Sequence, residues 1–170
     1  YLNTYIYRRP EHTAMMLGWA AVYFPMFEKA LAEEGLPTDL KYLSIVESAL
    51  NPAAISRSGA GGLWQFMKPT ARECGLKISS YVDERMDPDK STKAAVHYLK
   101  QLYAMFGNWE LVMAAYNAGP GRVRAAVKRA GSSDYWKIAR FLPEETRSYV
   151  PGFIAASYLM NFHDAHNIIP

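Results

Sequence analysis

The spacing of apolar residues is helical along almost the whole chain, and it limits the possible fold more than any other feature. Before Phe106, for example, Val96, Leu99 and Leu102 recur at the intervals that place side chains on one face of a helix. Apolar and polar residues alternate nowhere for more than a few positions, as they would in a half-buried strand. The pattern predicts an all-α fold of about eight helices.

Capping residues mark where several of these helices begin. Asp87 is followed by proline, which predicts the N-cap and first position of a helix that runs to Phe106. Asn108 predicts the cap of the next helix, Trp109–Ala118. A Gly-Pro-Gly turn then separates that helix from another, predicted over Val123–Ala130.

Prolines are expected to interrupt two other helical patterns. Pro25 lies in the middle of the amphipathic segment 13–35, so the sequence predicts two helices that meet near Phe24. A further helix is predicted from Leu40 to about Leu50. The Asn-Pro pair that follows ends it, because the residue before a proline avoids the α region.

The composition is that of a globular chain, and it excludes several classes of protein. Half of the 170 residues are hydrophobic and the net charge is only +3, so nucleic acid is not an expected partner. Cys74 is the only cysteine, so no internal disulfide can form. We find no signal-peptide pattern and no apolar run of the ~20 residues that a membrane helix needs.

One acid, Glu47 in the segment YLSIVESALNP, interrupts an apolar helix stripe. Its spacing from Leu43 and Leu50 places all three on one helix face. Burial there would disfavour the carboxylate and raise its pKa above ~4.3, which suits a general acid. Alternatively, Glu47 reaches solvent or pairs with an arginine, because structural ion pairs also place acids at such positions.

The segment SRSGAGGLWQFMKPT follows, with three glycines that allow close approach of the backbone. Trp64 and Phe66 offer flat apolar faces that suit sugar rings, and Ser56 and Gln65 offer neutral hydrogen-bonding groups. The alternative is a tightly packed loop with core aromatic residues. On either hypothesis Trp64 is expected in the core.

A third motif, AAYNAGPGRV, places Tyr116 and Asn117 at the end of a helix. Tyr116 could direct its hydroxyl at Glu47 or at a substrate; alternatively, it belongs to the core and Asn117 caps the helix. The four histidines are scattered and Cys74 has no neighbouring base. Neither a metal nor a cofactor is therefore predicted.

Together these motifs, in this order, resemble the lysozyme-like domain of the lytic transglycosylases, which cleave bacterial peptidoglycan. The segments YVDERMDPDKST and LPEETRSYVPGFIAA make the chain similar to the membrane-bound lytic murein transglycosylase D type. The resemblance begins at about Tyr23. It implies a single lysozyme-like domain over residues 1–170 with a glycan-binding cleft, in which residues 1–22 are an N-terminal helical extension.

The resemblance also implies roles for individual residues. Glu47 matches the single catalytic acid of the family. Six further positions match residues that line the glycan cleft or lie near the acid: Ser56, Gln65, Met67, Tyr116, Asn117 and Tyr149. One departure is Lys68, since the family commonly has proline after the methionine that corresponds to Met67.

The implied reaction is non-hydrolytic cleavage of the β-1,4 bond between N-acetylmuramic acid and N-acetylglucosamine, which leaves a 1,6-anhydro end. Ordinary glycosidases use two carboxylates, and we interpret seven other acids of this chain as caps or solvated charges. These are Asp83, Glu84, Asp87, Glu73, Glu110, Glu144 and Glu145. Two alternatives are a hydrolytic muramidase like the goose-type lysozymes and a non-catalytic peptidoglycan-binding module.

The family resemblance implies peptidoglycan glycan strands as the partner and the exported cell envelope as the location, in the periplasm or associated with the outer membrane. A monomer is expected. A membrane anchor or peptidoglycan-binding repeats could flank this sequence, since the family often has them.

Overall fold

The computed structural model describes Leu2 and residues 10–170. In this part of the chain the predicted all-α class is confirmed: there is no strand, only three isolated β-bridges. The chain divides into two compact units, which are described separately below. The first comprises Tyr1–Tyr98 and Ala155–Pro170, and the second comprises Leu99–Ile154.

The described residues form eight α-helices joined by loops and short 3-10 helices. In chain order the α-helices are α1 Pro10–Glu33, α2 Leu43–Ser48, α3 Lys68–Glu73, α4 Pro88–Phe106, α5 Trp109–Ala118, α6 Pro120–Ala130, α7 Tyr135–Ile138 and α8 Glu144–Phe162. The 3-10 helices are Thr38–Tyr42, Glu84–Met86, Ala139–Phe141 and His163–His166. None of the described helices combines the length and apolar character needed to span a bilayer.

The core of the first unit forms around the C-terminal half of α1. Phe27 and Leu31 are fully buried, and the ring of Phe27 lies 4.9 Å from that of Trp64, centre to centre. The 3-10 helix Thr38–Tyr42 packs against α1. The amide of Asn161 donates a hydrogen bond of 3.0 Å to the Tyr42 hydroxyl and so attaches the last turn of α8 to this core.

The predicted break in the first helix is wrong, because α1 continues through Pro25 without interruption. A proline in a helix interior costs about 3 kcal/mol through the lost donor and the ring clash. Phe27 and Leu31 are fully buried further along the same helix, and each such side chain contributes on the order of 1.5–3 kcal/mol. Keeping both buried on one continuous helix outweighs the local penalty.

In the second unit, helix α5 contains five consecutive buried residues, Leu111–Ala115, and packs against α6. Its predicted cap is confirmed: the Asn108 side chain accepts a hydrogen bond of 3.1 Å from the backbone N–H of Leu111. The turn after α5 is made at Gly119, where φ is +88°. Helix α6 begins directly afterwards at Pro120, three residues before the predicted start.

Candidate active site

Glu47 lies in the last turn of α2, and its side chain is neither buried nor fully exposed. The helix ends at Ser48, earlier than predicted, because Ala49 and Leu50 both adopt left-handed backbone conformations, with φ of 52° and 63°. Such a conformation costs a non-glycine residue roughly 1–2 kcal/mol. Leu50 is fully buried, which helps to offset that cost. The backbone strain is therefore stored beside the candidate acid, as is common at functional sites.

A serine next to Glu47 attaches the end of α2 to the segment that follows, which we call the glycine loop (residues 53–66). The Ser48 hydroxyl lies 2.9 Å from the backbone carbonyl of Leu63 and 3.0 Å from that of Ser44. The first contact crosses to the glycine loop and the second stays within the helix. Glu47 thus lies on a short helix whose last residue is hydrogen-bonded to the glycine loop.

Two small β-bridges hold the glycine loop together. Gly61 pairs with Ile55 on one side and with Phe66 on the other. Gln65 has a left-handed backbone, with φ of 49°, and its side-chain amide donates to the carbonyls of Gly62 at 2.9 Å and Ala54 at 3.2 Å. Gln65 therefore holds the loop closed while its side chain stays partly exposed.

Arg85 is a buried cation that anchors the glycine loop, and the sequence analysis missed it. Its guanidinium donates to the carbonyls of Gly59 at 2.7 Å and Phe66 at 2.9 Å. Asp83 binds the same guanidinium through both carboxylate oxygens, at distances down to 2.7 Å. These hydrogen bonds from Arg85 hold the pKa of Asp83 below its usual range. The only sign of this contact in the nearby sequence is that Asp83 lies two residues before Arg85.

The proposed use of Trp64 and Phe66 as sugar-stacking faces is wrong. Trp64 is fully buried and Phe66 is 3% exposed. The indole N–H of Trp64 donates to the hydroxyl of Thr92 at 2.9 Å, which satisfies its one polar group inside the core. The expectation that Trp64 belongs to the core is confirmed.

Two other predicted site residues lie at the surface of the glycine loop and just after it. The Ser56 hydroxyl accepts a hydrogen bond of 3.0 Å from the backbone N–H of Ala60, and it also contacts the Ser58 hydroxyl. Met67 directly precedes α3 and is 43% exposed. Ile55, which precedes Ser56 in the loop, is also unusually exposed for an apolar residue, at 68%. Exposed apolar groups of this kind are suited to contact a ligand.

The remaining three predicted residues lie in the second unit. Tyr116 is partly exposed near the end of α5, whereas Tyr149, in α8, is 4% exposed. Asn117 does not cap α5, because Gly119 occupies that position. Instead its side-chain oxygen accepts a hydrogen bond of 2.9 Å from the Thr146 hydroxyl. Asn117 thus ties the last turn of α5 to the first turn of α8.

The acids near the glycine loop are engaged in structural contacts. Asp83 binds Arg85, and Asp87 accepts a hydrogen bond of 3.0 Å from the backbone N–H of Lys90, as predicted for the cap of α4. Glu84 pairs with the Lys90 ammonium at 2.7 Å. These three acids therefore already take part in ion pairs or in a helix cap.

The described residues contain no group of three or more histidine, cysteine or acidic side chains that could hold a metal ion. Burial, aided by the charge of Glu73, raises the pKa of the Cys74 thiol to about 11. A thiol with such a pKa is almost fully protonated near neutral pH and is a poor nucleophile.

Comparisons with known proteins identify the family to which the chain is similar. Residues 24–139 match the family described as the transglycosylase SLT domain. The membrane-bound lytic murein transglycosylase D of Escherichia coli K12 is 42% identical over 133 residues, which are 75% of this chain and 29% of that protein. The chain thus spans less than a third of this curated relative.

Two solved structures share the fold. The 70-kDa soluble lytic transglycosylase of Escherichia coli superposes with a TM-score of 0.71 at 28% identity, over 87% of this chain and 26% of that one. The lytic transglycosylase Slt of Pseudomonas aeruginosa, solved as an inactive variant with glutamine in place of a glutamate, gives 0.66 at 28% identity, over 86% and 24%. The predicted lysozyme-like fold is confirmed, and the chain belongs to the transglycosylase SLT domain family.

Proposed function

We propose that this chain is the catalytic domain of a peptidoglycan lytic transglycosylase in which Glu47 acts first as acid and then as base. The observation that carries the proposal is the strained end of α2. Glu47 closely precedes two non-glycine residues with positive φ, and a third, Gln65, lies in the glycine loop that contacts this helix end. Strain of this kind persists only where the surrounding structure enforces it, most often at active sites.

In the proposed reaction, Glu47 donates its proton to the glycosidic oxygen between N-acetylmuramic acid and N-acetylglucosamine. The bond from that oxygen to C1 breaks, and the 2-acetamido group of the muramic residue stabilises the oxocarbenium-like centre. The Glu47 carboxylate then removes the proton from the C6 hydroxyl, whose oxygen attacks C1. The products are a free 4-hydroxyl and a 1,6-anhydro ring; no water is consumed, and Glu47 recovers its proton.

A single acid is sufficient for this route because the substrate supplies its own nucleophile. Ordinary glycosidases need a second carboxylate to activate water or to attack the sugar. The engagement of Asp83, Glu84 and Asp87 in ion pairs and a helix cap supports a mechanism without one. The inactivity of the Pseudomonas aeruginosa Slt variant, in which glutamine replaces a glutamate, supports a glutamate as the essential group.

The other predicted residues take supporting roles in this proposal. Ser56, Gln65 and Met67 are proposed to contact the glycan, since each is at least partly exposed. Tyr116 is also partly exposed, and the family resemblance assigns it a role near the acid. Asn117 helps to position the end of α5 and does not contact the substrate, since its side-chain oxygen accepts a hydrogen bond from the Thr146 hydroxyl. Tyr149 is 4% exposed and so offers little surface to a glycan.

The names of the relatives support murein as the substrate and the bacterial cell envelope as the place of action. We therefore propose peptidoglycan strands as the partner and the periplasm as the compartment.

The test is mass spectrometry of the products released from purified peptidoglycan by the wild-type chain and by Glu47→Gln. The wild type is expected to release muropeptides with anhydro-muramic ends, one water lighter than hydrolysis products. Because general acid–base help is worth about 10²–10⁴-fold, Glu47→Gln should release these products at least about 100-fold more slowly. Glu33→Gln is the matched control, since Glu33 is exposed and its pairing with Lys29, at 4.0 Å, is weak.

Reducing ends in place of anhydro ends would make the chain a muramidase and overturn the single-acid mechanism. If the wild-type chain is folded, as judged by circular dichroism, and binds peptidoglycan but releases no product, it is a binding module. Equal activity in Glu47→Gln and Glu33→Gln would remove Glu47 from the mechanism.

A further inference from the structure

A groove of about 600 Å³ lies in the second unit, outside the residues assigned above to catalysis. Three arginines line it: Arg122 and Arg129 from α6 and Arg140 from the 3-10 helix that follows α7. Phe141 forms an aromatic wall, and the buried Leu142 supplies an apolar surface. The groove therefore combines strong hydrogen-bond donors with apolar area, as ligand sites do.

The charge around this groove is far from the average of the chain. Residues 119–141 carry six lysines and arginines and a single acid, Asp134, although the whole chain has a net charge of only +3. Asp134 lies 3.9 Å from the Lys137 ammonium. The next acids in the chain, Glu144 and Glu145, directly follow the groove residue Pro143. Among the described residues, none of these three arginines forms an ion pair. The remaining sequence is net negative, so the positive charge is concentrated here.

Two of the guanidinium groups are held close to the same ring. The centre of the Arg129 guanidinium lies 5.0 Å from the centroid of Phe141, and that of Arg140 lies 4.7 Å from it. Cation–π contacts of this kind hold the two like charges in place. Two positive charges are thus held at the groove, so the arrangement favours a ligand with negative charge.

The side chains that line the groove indicate which class of anion it would bind. Arginine presents a planar fork that matches carboxylates and phosphates. Three such forks around a concave apolar floor suit a short flexible chain with several carboxylates separated by aliphatic groups. A membrane surface would instead need a convex or flat face with its cations pointing outward.

We propose that this groove binds the carboxylate-bearing peptide stems of peptidoglycan. The proposal rests on the proposed function, because the stems are attached to the muramic residues of the glycan substrate. A stem held in the groove adds a second point of attachment to the strand, which raises the local concentration of the glycan near the enzyme. Arg129 and Arg140 bind the carboxylates, and Phe141 packs against the aliphatic parts.

The test is an NMR titration of the whole chain with the free tetrapeptide L-Ala–γ-D-Glu–meso-diaminopimelate–D-Ala. The double variant Arg129→Ala/Arg140→Ala is expected to bind this peptide about tenfold more weakly, because two charge-assisted contacts are removed. Lys128→Ala is the control, since Lys128 is a cation of α6 that does not line the groove. It should bind the peptide within a factor of about two of wild type, because an exposed lysine outside the groove makes no direct contact with the peptide and contributes little.

Two further experiments are needed. The first distinguishes a peptide ligand from a lipid phosphate, and the second tests the proposed catalytic function separately from the proposed peptide groove. Vesicles of phosphatidylglycerol should not compete with the tetrapeptide; competition that disappears in the double variant would assign the groove to lipid phosphate and overturn the proposal. Equal peptide affinity in wild type and double variant would also overturn it. Cleavage of glycan strands stripped of peptides tests the proposed function alone: their conversion to anhydro products beside unchanged peptide binding in the double variant would leave that function standing without the stem groove.

Discussion

At the scale of single residues, the glycine loop depends most on Gly62. Its φ is +80°, and a Cβ atom added there would lie 1.8 Å from the backbone carbonyl oxygen of Arg85. Gly59, three residues earlier, has a similar φ of +88° but open space around it. An alanine at either position would adopt a strained backbone, but only at Gly62 would it also clash with its surroundings. Comparing the two substitutions therefore separates the cost of backbone strain from the cost of the clash.

We expect Gly62→Ala to lower the free energy of unfolding by about 2–5 kcal/mol, since overpacking of about 1–3 kcal/mol adds to backbone strain of about 1–2 kcal/mol. Gly59→Ala should lower it by the strain alone, about 1–2 kcal/mol. Urea denaturation followed by circular dichroism measures both. Equal losses in the two variants would mean that the approach of the loop to the Arg85 backbone is not tight.

At the scale of elements, α5 is held at both ends by asparagines. Asn108 caps its first turn through the backbone N–H of Leu111. Asn117 joins its last turn to the start of α8 through Thr146. Since α5 carries Tyr116, these two contacts set the position of a proposed site residue.

Replacement of the cap, Asn108→Ala, is expected to destabilise the protein by about 1 kcal/mol, because one helix N–H loses its acceptor. Asn108→Ser keeps a capping oxygen and should stay within about 0.5 kcal/mol of wild type. Thermal unfolding of the three proteins gives the comparison. A loss as large with serine as with alanine would show that the amide, not the cap, stabilises this turn.

At the scale of the whole molecule, shifted pKa values predict how stability depends on pH. Arg85 holds the pKa of Asp83 down, so the stabilisation from this carboxylate is present above its unfolded value of about 4 and is lost as pH falls through the folded value. Burial lowers the pKa of Lys41, but its hydrogen bond to Glu28 and nearby charges outweigh this and raise it. The stabilisation from Lys41 is therefore present below about pH 10.4 and is lost at higher pH.

Equilibrium unfolding measured from pH 7 to pH 2 should show a steep fall in stability below about pH 4, with Asp83→Asn less steep than wild type. Asp83→Asn is also expected to be less stable at every pH above about 4, because the buried Arg85 loses its counter-charge. Asp39→Asn, at an exposed position, is the control and should follow the wild-type slope. An unchanged slope in Asp83→Asn would show that other carboxylates cause the acid unfolding.

Much of this protein could be predicted from residues that interact with near neighbours in the chain. The all-α class follows from the helical spacing, and the starts of α4 and α5 follow from Asp87 and Asn108. Each cap bonds to a backbone N–H only three residues away, so the signal is contained in a few letters. The candidate acid, Glu47, was likewise visible as an interruption of a short apolar pattern.

Only the tertiary structure decided the features that depend on distant partners. Arg85 bonds to carbonyls 26 and 19 residues away, at Gly59 and Phe66, so no short window could identify it as the anchor of the glycine loop. Burial made Phe66 part of the core and not a surface for sugars. Burial of Phe27 and Leu31 also kept α1 continuous through Pro25 against the local preference. The free energy of burying a side chain depends on what the whole chain packs around it, whereas a helix cap depends on its own turn.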